Sequence, residues 1–206
     1  MKVILVNGSP HKNGCTYTAL SEAAKALEEN GVETEIFWLG NKPISGCISC
    51  ESCSKTGRCF MNDSVNEFLD KAEKADGFIF GSPVHFASAT GALTSFMDRA
   101  FYNRSRVFSF KPGASVVSCR RGGASAAFDQ LNKYLTICNM PVVSSQYWNQ
   151  VHGNTPEEVL QDAEGMQTMR TLGRNMAWLI KCIKAGEQAG ICLPEREPFQ
   201  RTNFIR

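Results

Sequence analysis

Lys2–Asn7 is apolar at every interior position, β-branched at Val3, Ile4 and Val6, and stopped by Gly8-Ser9-Pro10. So short and uniform a run suits a strand covered on both faces, as in a parallel sheet; a strand with one wet face would alternate. The pattern then recurs. Strands are expected at Val32–Leu39, Gly77–Phe80, Ala114–Ser118 and Pro141–Tyr147, each preceded by a stretch with helical spacing or by a loop. Helices are expected at Thr16–Asn30, from Ser64 through Lys74, at Gly91–Phe101, at Ala124–Thr136 and from Pro156 to about Lys184. Ser64-Val-Asn-Glu67 reads as a capping box, and Asn30-Gly31 as a helix stop.

Strands alternating with helices of ten or more residues imply repeated βαβ units. Five strands in 206 residues give an α/β, doubly wound parallel sheet of order 2-1-3-4-5 with helices on both faces. Of the residues, 43% are hydrophobic, enough for a sizeable core and too many for a disordered chain. One domain over 1–206 is expected, with a Cys-rich insert at about 40–62 and an irregular tail from about 190. A formal charge of +2 gives no reason to expect a nucleic-acid partner. No apolar run approaches the ~20 residues of a membrane span, so no membrane partner and a cytoplasmic location are expected.

Ligands of such sheets bind outside the carboxyl ends of the strands, near the switch between the first and third. Three loops rich in Gly, Ser and Pro meet there: Ser9 to Thr16, Ser82 to Ala89 and Ser118 to Gly123. Any one could be an ordinary turn; three at one edge favour a ligand. The first has the parts of a phosphate cradle. Ser9, Asn13 and Thr16 offer polar donors, Gly14 lets the backbone approach, and His11 and Lys12 add charge ahead of a helix N-terminus. Neither a Gly-Lys-Ser/Thr loop nor Gly-x-Gly-x-x-Gly is present, so a monophosphate fits best.

These segments resemble the NAD(P)H-dependent FMN reductases and the related iron–sulfur flavoproteins, which have the flavodoxin-like form of this sheet. Asn7-Gly-Ser-Pro-His-Lys-Asn-Gly-Cys-Thr16 looks like the family's FMN-phosphate loop. Ala75-Asp-Gly-Phe-Ile-Phe-Gly-Ser-Pro-Val-His-Phe86, followed by Phe96-Met-Asp-Arg99, looks like its flavin-ring loop and following helix. Cys119-Arg-Arg-Gly-Gly123 stands where the family has a Gly-rich third loop, and Asp162-Ala-Glu-Gly-Met-Gln-Thr168 is similar to a late-helix signature. His11, Cys15 and His85 depart from the usual Arg, Asn and Tyr.

The resemblance implies FMN, with NAD(P)H as co-substrate and a small electron acceptor such as a quinone, flavin or nitro compound. Ser9, His11, Lys12, Asn13, Cys15 and Thr16 would hold the phosphate. Pro83, Val84, His85 and Phe86 would line the ring with Ser88 as a polar contact nearby, the backbone N–H groups of Arg120, Arg121, Gly122 and Gly123 would face its N1–O2 edge, and Ser118 and Cys119 would also touch the cofactor. The flavin carries the hydride chemistry, so no protein acid or base is expected to be indispensable; His85 is either a proton donor or, more simply, shape. Arg104, Arg106, Arg120 and Arg121 are candidates for the NADPH 2′-phosphate or ordinary surface arginines. Tyr147-Trp148-Asn149 and Val151-His-Gly153 either approach the flavin mouth or end a packed strand. A homodimer or homotetramer is also implied.

Nine cysteines, with Cys47, Cys50, Cys53 and Cys59 inside thirteen residues, do not look like a disulfide framework. Cys-x2-Cys-x2-Cys-x5-Cys can wrap one [4Fe–4S] cube, and it resembles the motif of the iron–sulfur flavoproteins. Zinc, which prefers two separated Cys pairs, and no metal at all remain the alternatives. With a cluster, the chain would relay electrons between FMN and a partner such as ferredoxin. Cys138 and Cys182 are expected to be buried small hydrophobes, and the methionines of the last helix to be core or subunit contact.

Overall fold

The computed structural model describes residues 1–204; Ile205 and Arg206, the end of the expected tail, lie outside the described residues. Five strands form one all-parallel sheet in the order β2-β1-β3-β4-β5: β1 Lys2–Asn7, β2 Glu33–Trp38, β3 Gly77–Pro83, β4 Gly113–Cys119 and β5 Gln150–His152. The helices are α1 Cys15–Glu29, α2 Ser52–Thr56, α3 Ser64–Ala72, α4 Gly91–Phe108, α5 Ala124–Ile137, α6 Pro156–Gln161 and α7 Ala163–Gln188. The expected doubly wound, flavodoxin-like topology is the one observed.

The period-2 alternation of each strand divides the core in two. Ile4, Val6, Phe78 and Phe80 face α3, α4 and α5, where Phe68, Phe96, Phe108 and Leu131 meet them. Val3, Leu5, Ile79 and Val116 face α1 and α7, against Leu20, Leu27, Leu172 and Met176. Both faces are dry, which is why β1, β3 and β4 tolerate no polar alternation. Phe68 packs on five other rings, among them Phe96 at 5.0 Å. Burying each such ring contributes about 1.5–3 kcal/mol. On the other face α7 crosses α1 at Gly173, where a Cβ would stand 2.5 Å from the Ala23 carbonyl oxygen. Met166, Met169 and Met176 are buried there, so the methionine stripe is core.

Several expected boundaries moved. The fifth strand is not Pro141–Tyr147 but Gln150–His152. Val142 makes only an isolated bridge to Gly113, and the chain then leaves the sheet edge because its polar residues bond α7: Ser145 Oγ donates to the Thr168 carbonyl at 2.7 Å and Asn175 Nδ2 to that of Ser144 at 2.9 Å. The last helix is broken at Asp162, whose carboxylate accepts from the amides of His152 (2.7 Å) and Gly165 (2.9 Å) and so caps a new helix. α3 is capped by Asp63, one residue before the expected Ser64, through its carboxylate and the Val65 amide. α4 runs past Phe101 to Phe108 across a non-helical Arg104, because Phe108 stacks on Phe101 at 4.3 Å. Inside the insert, α2 was not expected at all. Cys138 is buried as expected, but Cys182 is exposed: it falls on the outer face of α7. Among the described residues no helix is long and apolar enough to cross a membrane.

Candidate functional site

The carboxyl ends of β1, β3, β4 and β5 surround a cavity of about 710 Å³, within the ordinary range for small-molecule sites. Ser9, His11, Lys12 and Asn13 line it from the loop after β1, and Cys15 and Thr16 from the first turn of α1. Asn7 folds that loop from within. Buried at the end of β1, its Oδ1 accepts from the Ser9 amide at 3.0 Å, and its Nδ2 donates to the Lys12 carbonyl at 3.0 Å. Ser9 Oγ accepts from the His11 amide at 3.1 Å. Gly14 caps α1 without any side-chain hydrogen bond to its first turn. A helix N-terminus left uncapped, its amides facing a polar cavity, is built for an anion.

Pro83, Val84 and His85 line the opposite wall from the end of β3, with Ser118 and Arg120 from the end of β4. The hydroxyls of Thr16 and Ser118 are hydrogen-bonded at 2.8 Å in the buried floor, tying the first loop to the third. Beyond His85 the chain makes a two-residue hairpin. His85 and Ser88 exchange backbone hydrogen bonds of 2.9 and 3.0 Å, with Phe86 and Ala87 at φ of 50° and 59°. Phe86 is wholly exposed, and Ser88 Oγ donates to Gln130 Oε1 at 2.8 Å, so neither lines the cavity. Cys119, Arg121, Gly122 and Gly123 also stand outside the lining. Cys119 is buried, its thiol donating to the Gly122 carbonyl at 2.9 Å. Gly123 supports the hairpin from behind: at φ +92°, a Cβ would lie 2.6 Å from Ala87 Cα.

Trp38 and the turn Gly153–Pro156 also line the cavity; of these the sequence points only to Gly153. Trp38 Nε1 donates to the Ser9 carbonyl at 2.9 Å and its ring lies under Lys12 Nζ. Its role depends on the pairing of β2 with β1, which no local pattern reveals. The turn did leave a signal: Thr155-Pro156 is a helix start, its hydroxyl accepting from the Glu158 amide, and it puts a second helix N-terminus beside the first. Burial pushes the Cys15 thiol up, so this cavity thiol stays protonated at neutral pH. Arg104 is committed to Glu73 (2.5 Å) and the Gly57 carbonyl (2.7 Å), away from the cavity. Tyr147 and Trp148 are half-exposed and pack on each other at a tilt, ring centres 5.0 Å apart, also outside it.

Between β2 and α3, Cys47, Cys50, Cys53 and Cys59 line one small cavity of about 20 Å³, backed by Arg99, Met61 and Tyr102. All nine cysteines are free thiols. Hydrogen bonding from Ser52 draws the Cys50 thiol down, whereas burial pushes Cys53 up. Ser49 and Glu51 are held at φ of 52° and 56°, so the loop is bent sharply between successive thiols. Among the described residues, no group of three or more His, Cys, Asp or Glu side chains is placed so as to hold a metal ion. The donor set, four soft thiols on one cavity, nonetheless suits iron–sulfur chemistry.

A parallel 2-1-3-4-5 sheet carrying an anion-ready helix N-terminus and an open cavity at its switch point defines the flavodoxin-like class of mononucleotide binders. Solved structures agree on the fold. A crystal structure of RosB with bound 8-demethyl-8-formylriboflavin-5'-phosphate superposes with a TM-score of 0.72 at 14% identity, over 100% of this chain and 92% of that one. A flavodoxin from the domain Archaea gives 0.60 at 16% identity, over 88% and 99%. Within that class the chain belongs to the NADPH-dependent FMN reductase family, whose model matches residues 1–155. It is an oxidoreductase with FMN as its cofactor. A relative from Methanocaldococcus jannaschii named as an iron–sulfur flavoprotein is 35% identical over 195 residues, 89% of this chain and 100% of the relative.

Proposed function

We propose that the chain is an FMN-dependent NAD(P)H oxidoreductase of the iron–sulfur flavoprotein type, in which Cys47, Cys50, Cys53 and Cys59 hold a [4Fe–4S] cluster. The observation that carries this reading is the convergence of those four thiols on one cavity, in a chain of which 89% aligns with an iron–sulfur flavoprotein along that protein's full length. The α1 amides would bind the FMN phosphate, with His11 and Lys12 adding charge and Asn13, Ser9 and Thr16 shaping the cradle. Pro83, Val84 and His85 would lie along the ring, and Arg120 stands where an anionic edge or a nicotinamide phosphate would come. When bound, FMN supplies hydride and electron chemistry and the cluster supplies one-electron transfer. The protein's part is therefore to bind, orient and insulate. The apolar wall at Pro83 and Val84 keeps water from one side of the ring, and His85 holds its backbone through the hairpin. Electrons leaving through the insert fit a one-electron protein partner such as ferredoxin.

A second reading has the bound ring reduce a quinone, flavin or nitro compound directly; the open cavity favours it, since a small acceptor could reach the ring. Anaerobically purified protein with iron and sulfide near four each per chain and a broad absorbance near 400 nm, reduced by NADPH, supports the first reading. Metal-free yellow protein that turns over NADPH and quinone moves the assignment to the second. Retention of riboflavin as tightly as FMN would remove the phosphate cradle from either.

A further inference from the structure

Arg99 is the largest fully buried side chain among the described residues, and it does not line the cavity at the strand ends. It projects from α4, the helix whose N-cap, Thr90, hydrogen-bonds the Gly8 carbonyl (2.9 Å) at the FMN edge. Nine residues on, roughly 14 Å along the helix, the guanidinium enters the cysteine insert. Its fork clasps Asp63, Nη1 to Oδ2 at 2.6 Å and Nη2 to Oδ1 at 2.9 Å. Nη1 also reaches the Ser45 carbonyl and Nη2 the Met61 carbonyl, each at 3.4 Å, which pins both ends of the insert. One contact serves no anchoring purpose. Nη2 lies 3.2 Å from Cys59 Sγ.

We propose that Arg99 is a positioning residue for the last cluster ligand: by donating to Cys59 Sγ it stabilises the reduced cluster and raises its reduction potential. The inference rests on the cluster reading given above. Reduction adds negative charge to the cluster and its sulfurs, and a donor already fixed beside one of them stabilises that state more than the oxidised one. Burial strengthens the effect, because with 1% of the Arg99 side chain exposed little water competes for the N–H. Asp63 sets its size. That carboxylate neutralises the guanidinium, sharing Nη2 with the thiol, and is itself about a third exposed, so it damps the positive field at Cys59 without abolishing it.

Two substitutions push in opposite directions. R99K keeps a cation but loses the fork that reaches Asp63 and Cys59 together. At a fixed ambient potential its oxidised-to-reduced cluster ratio should rise about tenfold, or 59 mV for a one-electron couple. D63N keeps an acceptor for the Val65 amide, so α3 stays capped, but it leaves the guanidinium charge uncompensated; its ratio should fall. Potentiometric titration followed by electron paramagnetic resonance reads the ratio, and iron and sulfide analysis reads loading. Opposite shifts in loaded variants support the proposal. Unchanged potentials, or shifts of the same sign, overturn it while leaving the cluster reading intact. Loss of iron from both variants, with the wild type loaded, assigns Arg99 to anchoring alone and also overturns it. An iron-free wild type removes the cluster reading and this inference with it.

Discussion

Single side chains at the cavity differ in how far their roles can be read from neighbours in sequence. Gly123 is fixed by an approach of two loops far apart in the chain: its Cβ position lies 2.6 Å from Ala87 Cα, and its φ of +92° suits only glycine. Gly123→Ala should therefore cost about 1–3 kcal/mol of stability and loosen flavin retention, both visible in one thermal denaturation series with and without FMN. Trp38 is the opposite case, a large residue whose function lies in one N–H. Trp38→Phe keeps the ring but frees the Ser9 carbonyl from its 2.9 Å hydrogen bond. Since a hydrogen bond of this kind is worth about 1 kcal/mol, the apoprotein melting temperature should fall by about 2–4 °C, and FMN affinity by up to roughly fivefold as the loop must be re-ordered on binding. Fluorescence quenching titrations of the two proteins measure the ratio; equal affinities would mean that the indole only fills space. The four cysteines, by contrast, were legible from spacing alone, because they fall within thirteen consecutive residues.

At the level of elements, the strands and helices that carry the cradle were legible because each has one dominant period and a clear stop. The fifth strand was not. Pro141–Tyr147 has the composition of a strand, yet its serines and Gln146 bond α7 instead of β4, and only then does Gln150–His152 complete the sheet. Tertiary hydrogen bonds outweighed local propensity there. A similar cross-element device holds the outer edge of the sheet. Glu35 on β2 sits between Lys2 of β1 (2.8 Å) and Lys71 of α3 (2.8 Å), and these hydrogen-bonded cations, Lys2 first, hold its carboxyl below the ordinary 4.5. A depressed carboxyl stabilises the fold above its unfolded pKa, and that contribution disappears as pH falls through the lower folded value. Both lysines are partly exposed, so the effect is about 1 kcal/mol or less. Urea melts of wild type and Glu35→Gln should differ by that amount at pH 7 and converge toward pH 3; a gap that persisted in acid would mean that charge is not its origin.

For the molecule as a whole, the sheet and its two dry layers form a rigid platform, while the insert hangs on it by few buried contacts. From Asn41 to Met61 every described residue is exposed or half-exposed, whereas Val3–Val6 and Phe78–Phe80 are fully buried. Amide exchange should accordingly protect β1, β3 and β4 at the level of global unfolding and release the insert far earlier; equal protection of both would contradict this division. In the proposed site FMN would bind where the rigid loops meet, so at about 100 times its dissociation constant it should add about 2.7 kcal/mol, a rise of some 5–10 °C in melting temperature for a chain of this length. The alternation of strands and helices, the polar loops at the strand ends, the start of α1 and the thiol quartet were all determined by the sequence alone, since each follows from periodicity or from spacing along a few consecutive residues. Which walls close the cavity, that Phe86 turns outward, that Trp38 holds the loop after β1 and that Arg99 reaches Cys59 were decided only in three dimensions. Those contacts join residues between 29 and 102 positions apart or reverse a single hairpin, and they depend on how layers pack, which no local pattern encodes.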